Sequence, residues 1–152
     1  MINEYIYNWK KSMKIFITGV AGFLGSHLAE RMLSIGHEVL GNDNLIGGDL
    51  ENVNKKIKFF KTDCNDLEGM VKITKDCDIV YHCAATAHEG LSVFSPHIIT
   101  NNIFQASVSV ITASIKNKVK RFVYCSSMAR YGSQKPPFTE EMSPAPVDPY
   151  GV

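Results

Sequence analysis

The stretch 18-TGVAGFLG-25 joins two segments that belong to different kinds of element. Before it, 14-KIFIT-18 is apolar on consecutive positions, as a strand covered on both faces is. After it, Leu24, Leu28, Met32 and Ile35 recur at helical spacing, and Gly36 follows as a C-terminal cap. Between them Gly19, Gly22 and Gly25 stand three residues apart. A side chain at the first two would block the approach of a pyrophosphate to the backbone. The third lets helix and strand pack closely. The helix N-terminus adds free N–H groups and a positive dipole end. A strand, a glycine turn and a helix in this order confine the chain to an α/β fold with a phosphate-binding turn.

The rest of the chain repeats the alternation. Strands are expected at 38-EVLGN-42, 57-IKFFK-61, 78-DIVYH-82 and 121-RFVYC-125, separated by amphipathic stretches. This is the pattern of a doubly wound parallel sheet. The last strand is expected to be buried on both faces, yet no further strand follows to cover its edge, so the sheet reads as truncated after the fifth strand. Ser95-Pro96 opens a helix with two apolar stripes. Ile99, Ile103, Ala106, Val110 and Ala113 form one; Phe104, Val108, Ile111 and Ile115 form the other. One stripe is expected on the sheet and the second against another helix. The Pro-rich segment 133–149 reads as an ordered loop.

Met13 directly precedes the first strand. Residues 1–12 therefore read as an N-terminal extension and 13–152 as one incomplete domain. Asp148-Pro149 has the form of a helix opening, a capping carboxylate before a residue preset for the first turn. Only three residues follow it, so the chain is expected to be the first part of a longer protein.

A net charge of +1, with 45% hydrophobic and 20% charged residues, describes an ordinary globular chain and argues against nucleic acid as a partner. The basic run 116-KNKVKR-121 suits a helix C-terminus. The four cysteines include no CxxC pair, which disfavours a disulfide framework or a metal site and fits a reducing cytoplasm. Cys125 is expected to be buried, and His82 and Cys83 are expected to be packing residues. No apolar segment approaches the ~20 residues of a membrane span, so a soluble protein without membrane association is expected.

Asp43 and Asn44 end the second strand, with Asp43 eighteen residues after Gly25. A carboxylate there can accept both ribose hydroxyls of an adenosine and would repel a 2′-phosphate. The expected cofactor is NAD rather than NADP.

Further motifs follow in order: Thr62-Asp63, His82-Cys83-Ala84-Ala85, Ser126-Ser127 with Tyr131-Gly132, and Pro149-Tyr150-Gly151. Together with the glycine turn they resemble the N-terminal half of an extended short-chain dehydrogenase/reductase of the nucleotide-sugar epimerase/dehydratase group, akin to UDP-glucose 4-epimerases. The resemblance covers about residues 13–152. It implies a Rossmann fold and assigns roles. Phe23 and Leu24 would offer amides to the pyrophosphate. Asp63 and Cys64 would meet the adenine. Ala84, Ala85 and Thr86 would line the dinucleotide, and Asn102, rather than Asn101, would reach it. Ser127 and Tyr150 match the catalytic Ser/Thr and tyrosine.

In the implied reaction a tyrosinate takes the proton of a sugar hydroxyl while hydride leaves the same carbon for NAD. Ser127 orients the oxygen, and hydride returns to the other face of the keto-sugar. The family's Tyr-x-x-x-Lys motif would place its lysine at position 154, and the family's substrate domain follows later, so the 152-residue chain alone is expected to be inactive. Family dehydratases carry an Asp-Glu pair where this chain has Met128 and Ala129, which disfavours dehydration; decarboxylases carry a glutamate at the position of Ala129. Epimerisation of a nucleotide sugar, UDP-linked by the resemblance, is the implied function. The alternatives are a sugar or alcohol oxidoreductase of the same family and a non-catalytic dinucleotide-binding protein. Arg130, where the family is usually apolar, reads as a surface arginine with substrate phosphate as its other possible partner. The resemblance also implies a homodimer for the complete protein, with the double-striped helix at the interface.

Overall fold

The computed structural model describes residues 12–152; the extension ahead of Ser12 lies outside the described residues. Five strands form one parallel sheet: β1 (Lys14–Thr18), β2 (Glu38–Asp43), β3 (Lys58–Lys61), β4 (Ile79–His82) and β5 (Arg121–Tyr124). Their order is β3-β2-β1-β4-β5, with every pairing parallel. The chain steps outward from β1 to β3, then crosses back to place β4 on the other side of β1. The reversal leaves a crevice beyond the C-terminal ends of β1 and β4, where open α/β sheets bind ligands.

Successive residues of β1 serve opposite faces, which is why the strand is apolar throughout. Ile15 and Ile17 pack with Val39, Ile79 and with Ala29 and Met32 of helix α1 (Phe23–Ser34). Phe16 packs on the other side with Leu40, Val80, Met70 of helix α2 (Leu67–Ile73), and Val110 and Ala113 of helix α5 (Ala106–Lys116). Both faces of the sheet are therefore covered. Helix α1 ends as expected, with Gly36 at φ 90° just past its cap.

Helix α2 has no counterpart in the sequence-based reading. It is short, carries Gly69 inside and buries only Met70. Asp66 caps it by accepting from the Gly69 amide at 2.9 Å. A four-residue helix α3 (Glu89–Ser92) is likewise unanticipated and holds the exposed Glu89, which follows His88.

The helix expected from Pro96 is continuous but not uniform. It comprises α4 (Pro96–Thr100), a π-helical turn over Asn101–Gln105 and α5. Its two stripes separate as expected. Ile99, Ala106, Val110 and Ala113 are buried, while Phe104 and Ile115 are 65% and 72% exposed. The span Pro96–Lys116 has 21 residues and a mean hydropathy of 1.3. That corrects the expectation that no segment reaches membrane-spanning length. Its inner stripe is nevertheless packed on the sheet.

Strand β5 also departs from expectation. Phe122 and Val123 are half-buried, and Arg121 and Tyr124 are exposed, because β5 is an edge strand among the described residues. The basic run does close a helix: Lys116 ends α5, and Lys120 pairs with Asp78 at 2.6 Å.

Candidate active site

The glycine turn is shaped by close backbone contacts. Gly19 has φ 68°, and a Cβ there would sit 2.8 Å from the Ala84 Cα. A Cβ on Gly25 would run into the Gly19 carbonyl and approach the Val20 Cα to 2.9 Å. The third glycine thus lets α1 pack onto the turn itself. Gly22 is the N-cap of α1 and supplies no side-chain cap. The amides of Phe23 and Leu24 precede the first α-helical bond, Ser26 N to Gly22 O at 3.0 Å. They belong to the orphan donors of a helix start. The Phe23 side chain is 83% exposed, away from the core. An open turn, unpaired amides and a positive dipole end are the donor set that a pyrophosphate requires.

Asp43 is buried at the end of β2 and ties this turn to the neighbouring loop. One carboxylate oxygen accepts from the Ala21 amide at 3.1 Å and the other from the Leu45 amide at 2.8 Å. The loop then folds back: the amides of Asp49 and the Asn52 side chain both donate to the Ala21 carbonyl. Asn44 donates to Asp63 at 2.9 Å. Burial raises the Asp63 carboxyl, but hydrogen bonds from Asn44 and Asn65 outweigh it and hold the group below its ordinary value. Cys64 is buried beside it, and burial pushes its thiol up to about 11. These residues form a continuous rim from the glycine turn to the end of β3.

The opposite rim follows β4. Ala84, Ala85 and Thr86 leave the strand beside Gly19. Asn102, in the π-turn, donates to the Thr86 hydroxyl at 3.0 Å, whereas the exposed Asn101 side chain donates to Asn102 at 3.1 Å. Of the two asparagines, Asn102 is the one the fold brings to this rim.

Beneath the rim lies a relay that sequence reasoning treated as simple packing. Thr18 and His82 are register partners across β1 and β4. The Thr18 oxygen accepts from the amides of Cys83 and Ala84, both at 3.1 Å. With its lone pairs taken, its own proton goes to His82 Nδ1 at 2.7 Å. His82 Nε2 must then carry the hydrogen, which it gives to Ser107 Oγ at 3.0 Å. Ser107 donates onward to the Ile103 carbonyl at 2.6 Å, inside the π-turn. Burial lowers the imidazole to about 4, in keeping with this neutral tautomer.

A third part of the site follows β5. Ser126, Ser127, Met128, Arg130, Tyr131 and Glu140 line an open cleft of about 470 Å³. Ser127 caps a 3₁₀ turn (Met128–Tyr131), its oxygen accepting from the Ala129 amide at 3.2 Å. Arg130 is not a solvated surface arginine: it is half-buried, with its guanidinium 4.7 Å from the centre of the Tyr131 ring. The Pro-rich segment is ordered against this turn, as expected. Gln134 donates to the Ser143 carbonyl, Ala145 to the Arg130 carbonyl, and Tyr131 stacks on Phe138. Asp148 caps the turn that holds Tyr150, accepting from the amides of Tyr150 and Gly151 at 2.8 Å each. Ser127 and Tyr150 therefore sit on adjoining turns, with Gly151 packed against the Ala129 carbonyl.

A five-stranded parallel sheet with a glycine turn at its switch point defines a Rossmann-type dinucleotide-binding protein. More narrowly, the chain belongs to the NAD dependent epimerase/dehydratase family, whose model matches residues 15–152. It is 35% identical to a UDP-glucose 4-epimerase of Lactobacillus helveticus over 142 residues, covering 91% of this chain and 43% of that protein. A putative UDP-arabinose 4-epimerase of Arabidopsis thaliana is 34% identical over 149 residues, 90% of this chain and 34% of that protein. Among solved structures, UDP-glucose 4-epimerase from Thermotoga maritima with UDP-glucose superposes with a TM-score of 0.87 at 34% identity, over 91% of this chain and 47% of that one. The enzyme from Thermus thermophilus in complex with NAD gives 0.86 at 32% identity, over 91% of this chain and 46% of that one. The chain thus spans between a third and a half of the length of these relatives.

Proposed function

We propose that this chain is the cofactor-binding part of an NAD-dependent epimerase acting on a UDP-linked sugar. The carrying observation is that the C-terminal side of the sheet gathers the glycine turn with its free amides after β1, the Asp43 carboxylate at the end of β2, and the Ser127 turn after β5 with the Tyr150 turn beside it. The similarity to several UDP-sugar 4-epimerases supports the substrate class and inversion at carbon 4.

NAD, when bound, supplies a hydride acceptor and donor. Phe23 and Leu24 amides hold its pyrophosphate, Asp43 its adenosine ribose, and Asp63 with the Cys64 backbone its adenine. Ala84, Ala85, Thr86 and Asn102 line the opposite rim. Ser127, already an acceptor for the Ala129 amide, keeps its hydroxyl proton to donate to the sugar oxygen. Tyr150 would take that oxygen's proton as the general base. Met128 and Ala129 offer no acid or base for water loss, which disfavours dehydration.

The complete protein is a homodimer joined through the exposed stripe of Phe104, Val108, Ile111 and Ile115, and works in the cytoplasm, in keeping with four cysteines that are free thiols in the structure. The test is to express the protein through its full reading frame and supply UDP-glucose without added cofactor. Formation of UDP-galactose, with NAD retained over many turnovers, is expected. Stoichiometric consumption of NAD would instead assign a net oxidoreductase, and NAD binding without turnover of any UDP-sugar would assign a binding protein.

A further inference from the structure

Cys83 and Cys125 stand one residue beyond the paired ends of β4 and β5, where His82 faces Tyr124. The Cys125 amide extends the ladder by donating to the His82 carbonyl at 3.2 Å. Neighbouring strands lie about 4.8 Å apart, inside the Cα separation that a disulfide spans. Both side chains leave on one side of the sheet, and their sulfurs are 3.6 Å apart. A disulfide needs about 2.05 Å, so the sulfurs must close by about 1.5 Å, within the reach of side-chain rotation. Cys125 is exposed, which corrects the expectation that it is buried, and Cys83 is half-buried. The other two cysteines, Cys64 and Cys77, are buried apart from this pair.

We propose that Cys83 and Cys125 are a reversible redox pair that exchanges with low-molecular-weight disulfides. Cys125 is the attacking residue because solvent reaches it. Its thiolate attacks one sulfur of the small disulfide, the disulfide bond breaks, and one small thiolate leaves and takes up a proton. Cys83, its own proton lost to solvent, then attacks the Cys125 sulfur of the mixed disulfide and expels the second small thiol. Two protein thiols are oxidised and one small disulfide is reduced to two thiols. Burial, and the neighbouring Cys125, push the Cys83 thiol up to about 12, so the first attack on a small disulfide does not fall to Cys83. The bridge ties together the two strand exits that lead into Ala84–Thr86 and Ser126–Ser127, so it sits between the two halves of the candidate site. Disulfides of this kind in a reducing compartment are transient and regulatory.

The folded chain is incubated with oxidised glutathione, its remaining thiols are alkylated, and non-reduced peptides are mapped by mass spectrometry. The expected product has lost two hydrogens, links the Cys83 and Cys125 peptides, retains no glutathione and reverts with dithiothreitol. Cys83→Ser is expected to stop at one glutathione on Cys125, and Cys125→Ser to leave Cys83 unmodified. The wild-type peptide map does not depend on either variant folding. Stable glutathione on wild-type Cys125, a bridge that includes Cys64 or Cys77, or no reaction would each overturn the proposal.

Discussion

The Thr18 hydroxyl donates to Nδ1 of buried His82 at 2.7 Å and, by doing so, sets the protonation of a chain that ends in the π-turn. Because His82 is an acceptor at one nitrogen and a donor at the other, it folds in as neutral imidazole. Its protonation would force two donors against each other inside the protein.

Acid sensitivity follows from that arrangement. The folded value of about 4 lies below the ordinary 6.5, so between these pH values the unfolded chain binds the proton and the folded chain does not. The His82 contribution is full above about pH 6.5 and is lost as pH falls toward 4, by up to about 3 kcal/mol. Urea denaturation of wild type at pH 7 and pH 5 measures it. His82→Phe should be destabilised at pH 7, by about 2 kcal/mol from the stranded Thr18 and Ser107 hydroxyls, and should lose this part of the pH dependence.

The glycines of the turn and of the helix end should respond differently. Gly25→Ala drives a methyl into the Gly19 carbonyl and should cost about 3 kcal/mol. Gly36 faces open space, so Gly36→Ala pays only for its positive φ, about 1 kcal/mol. Thermal or urea midpoints of the two variants compare them directly.

Asp43→Asn should have two separable effects. The amide nitrogen would face a backbone N–H of Ala21 or Leu45, costing about 1–2 kcal/mol of stability. Lost charge at the ribose position should weaken NAD binding about tenfold while sparing NADP, a difference of about 1.4 kcal/mol. Paired fluorescence titrations with the two cofactors read the second effect.

The neighbouring asparagines form an internal control. Asn102→Ala removes the bond to Thr86 and should reduce NAD affinity about fivefold, a loss of about 1 kcal/mol. Asn101→Ala, at an exposed position, should leave affinity unchanged.

The sheet was legible because each strand announces itself by consecutive apolar residues, and both stripes of the Pro96 helix by their spacing. The helix Leu67–Ile73 was not, since a seven-residue helix with an internal glycine and one buried residue has almost no periodic signal. Asp66, with its capping bond to Gly69, is the clue that could have revealed it. The π-turn has no periodic signal; it coincides with the Ser107 hydroxyl bonding back to the Ile103 carbonyl four residues earlier and with a tertiary bond from Asn102 to Thr86. His82 was read as packing because its partners lie 64 and 25 residues away in sequence. Cys125 and β5 were expected to be buried because apolar composition does not say which strand lies at the edge. For the candidate site, the glycine turn and Asp43 were readable from spacing. Asp43's bond to Ala21, 22 residues away, was not, because it depends on the crossover between β1 and β2.

The central claim is that a dinucleotide lies across the C-terminal ends of β1 and β4. An amide-resolved NMR titration of the 152-residue chain with NAD tests it most directly. Shifts should cluster at Val20–Gly25, Asp43–Asn44, Asp63–Cys64 and Ala84–Thr86. Absence of shifts at saturating NAD, or shifts confined to the separate shallow groove lined by Leu67, Glu68, Val71, Lys72 and Lys116, would contradict the account.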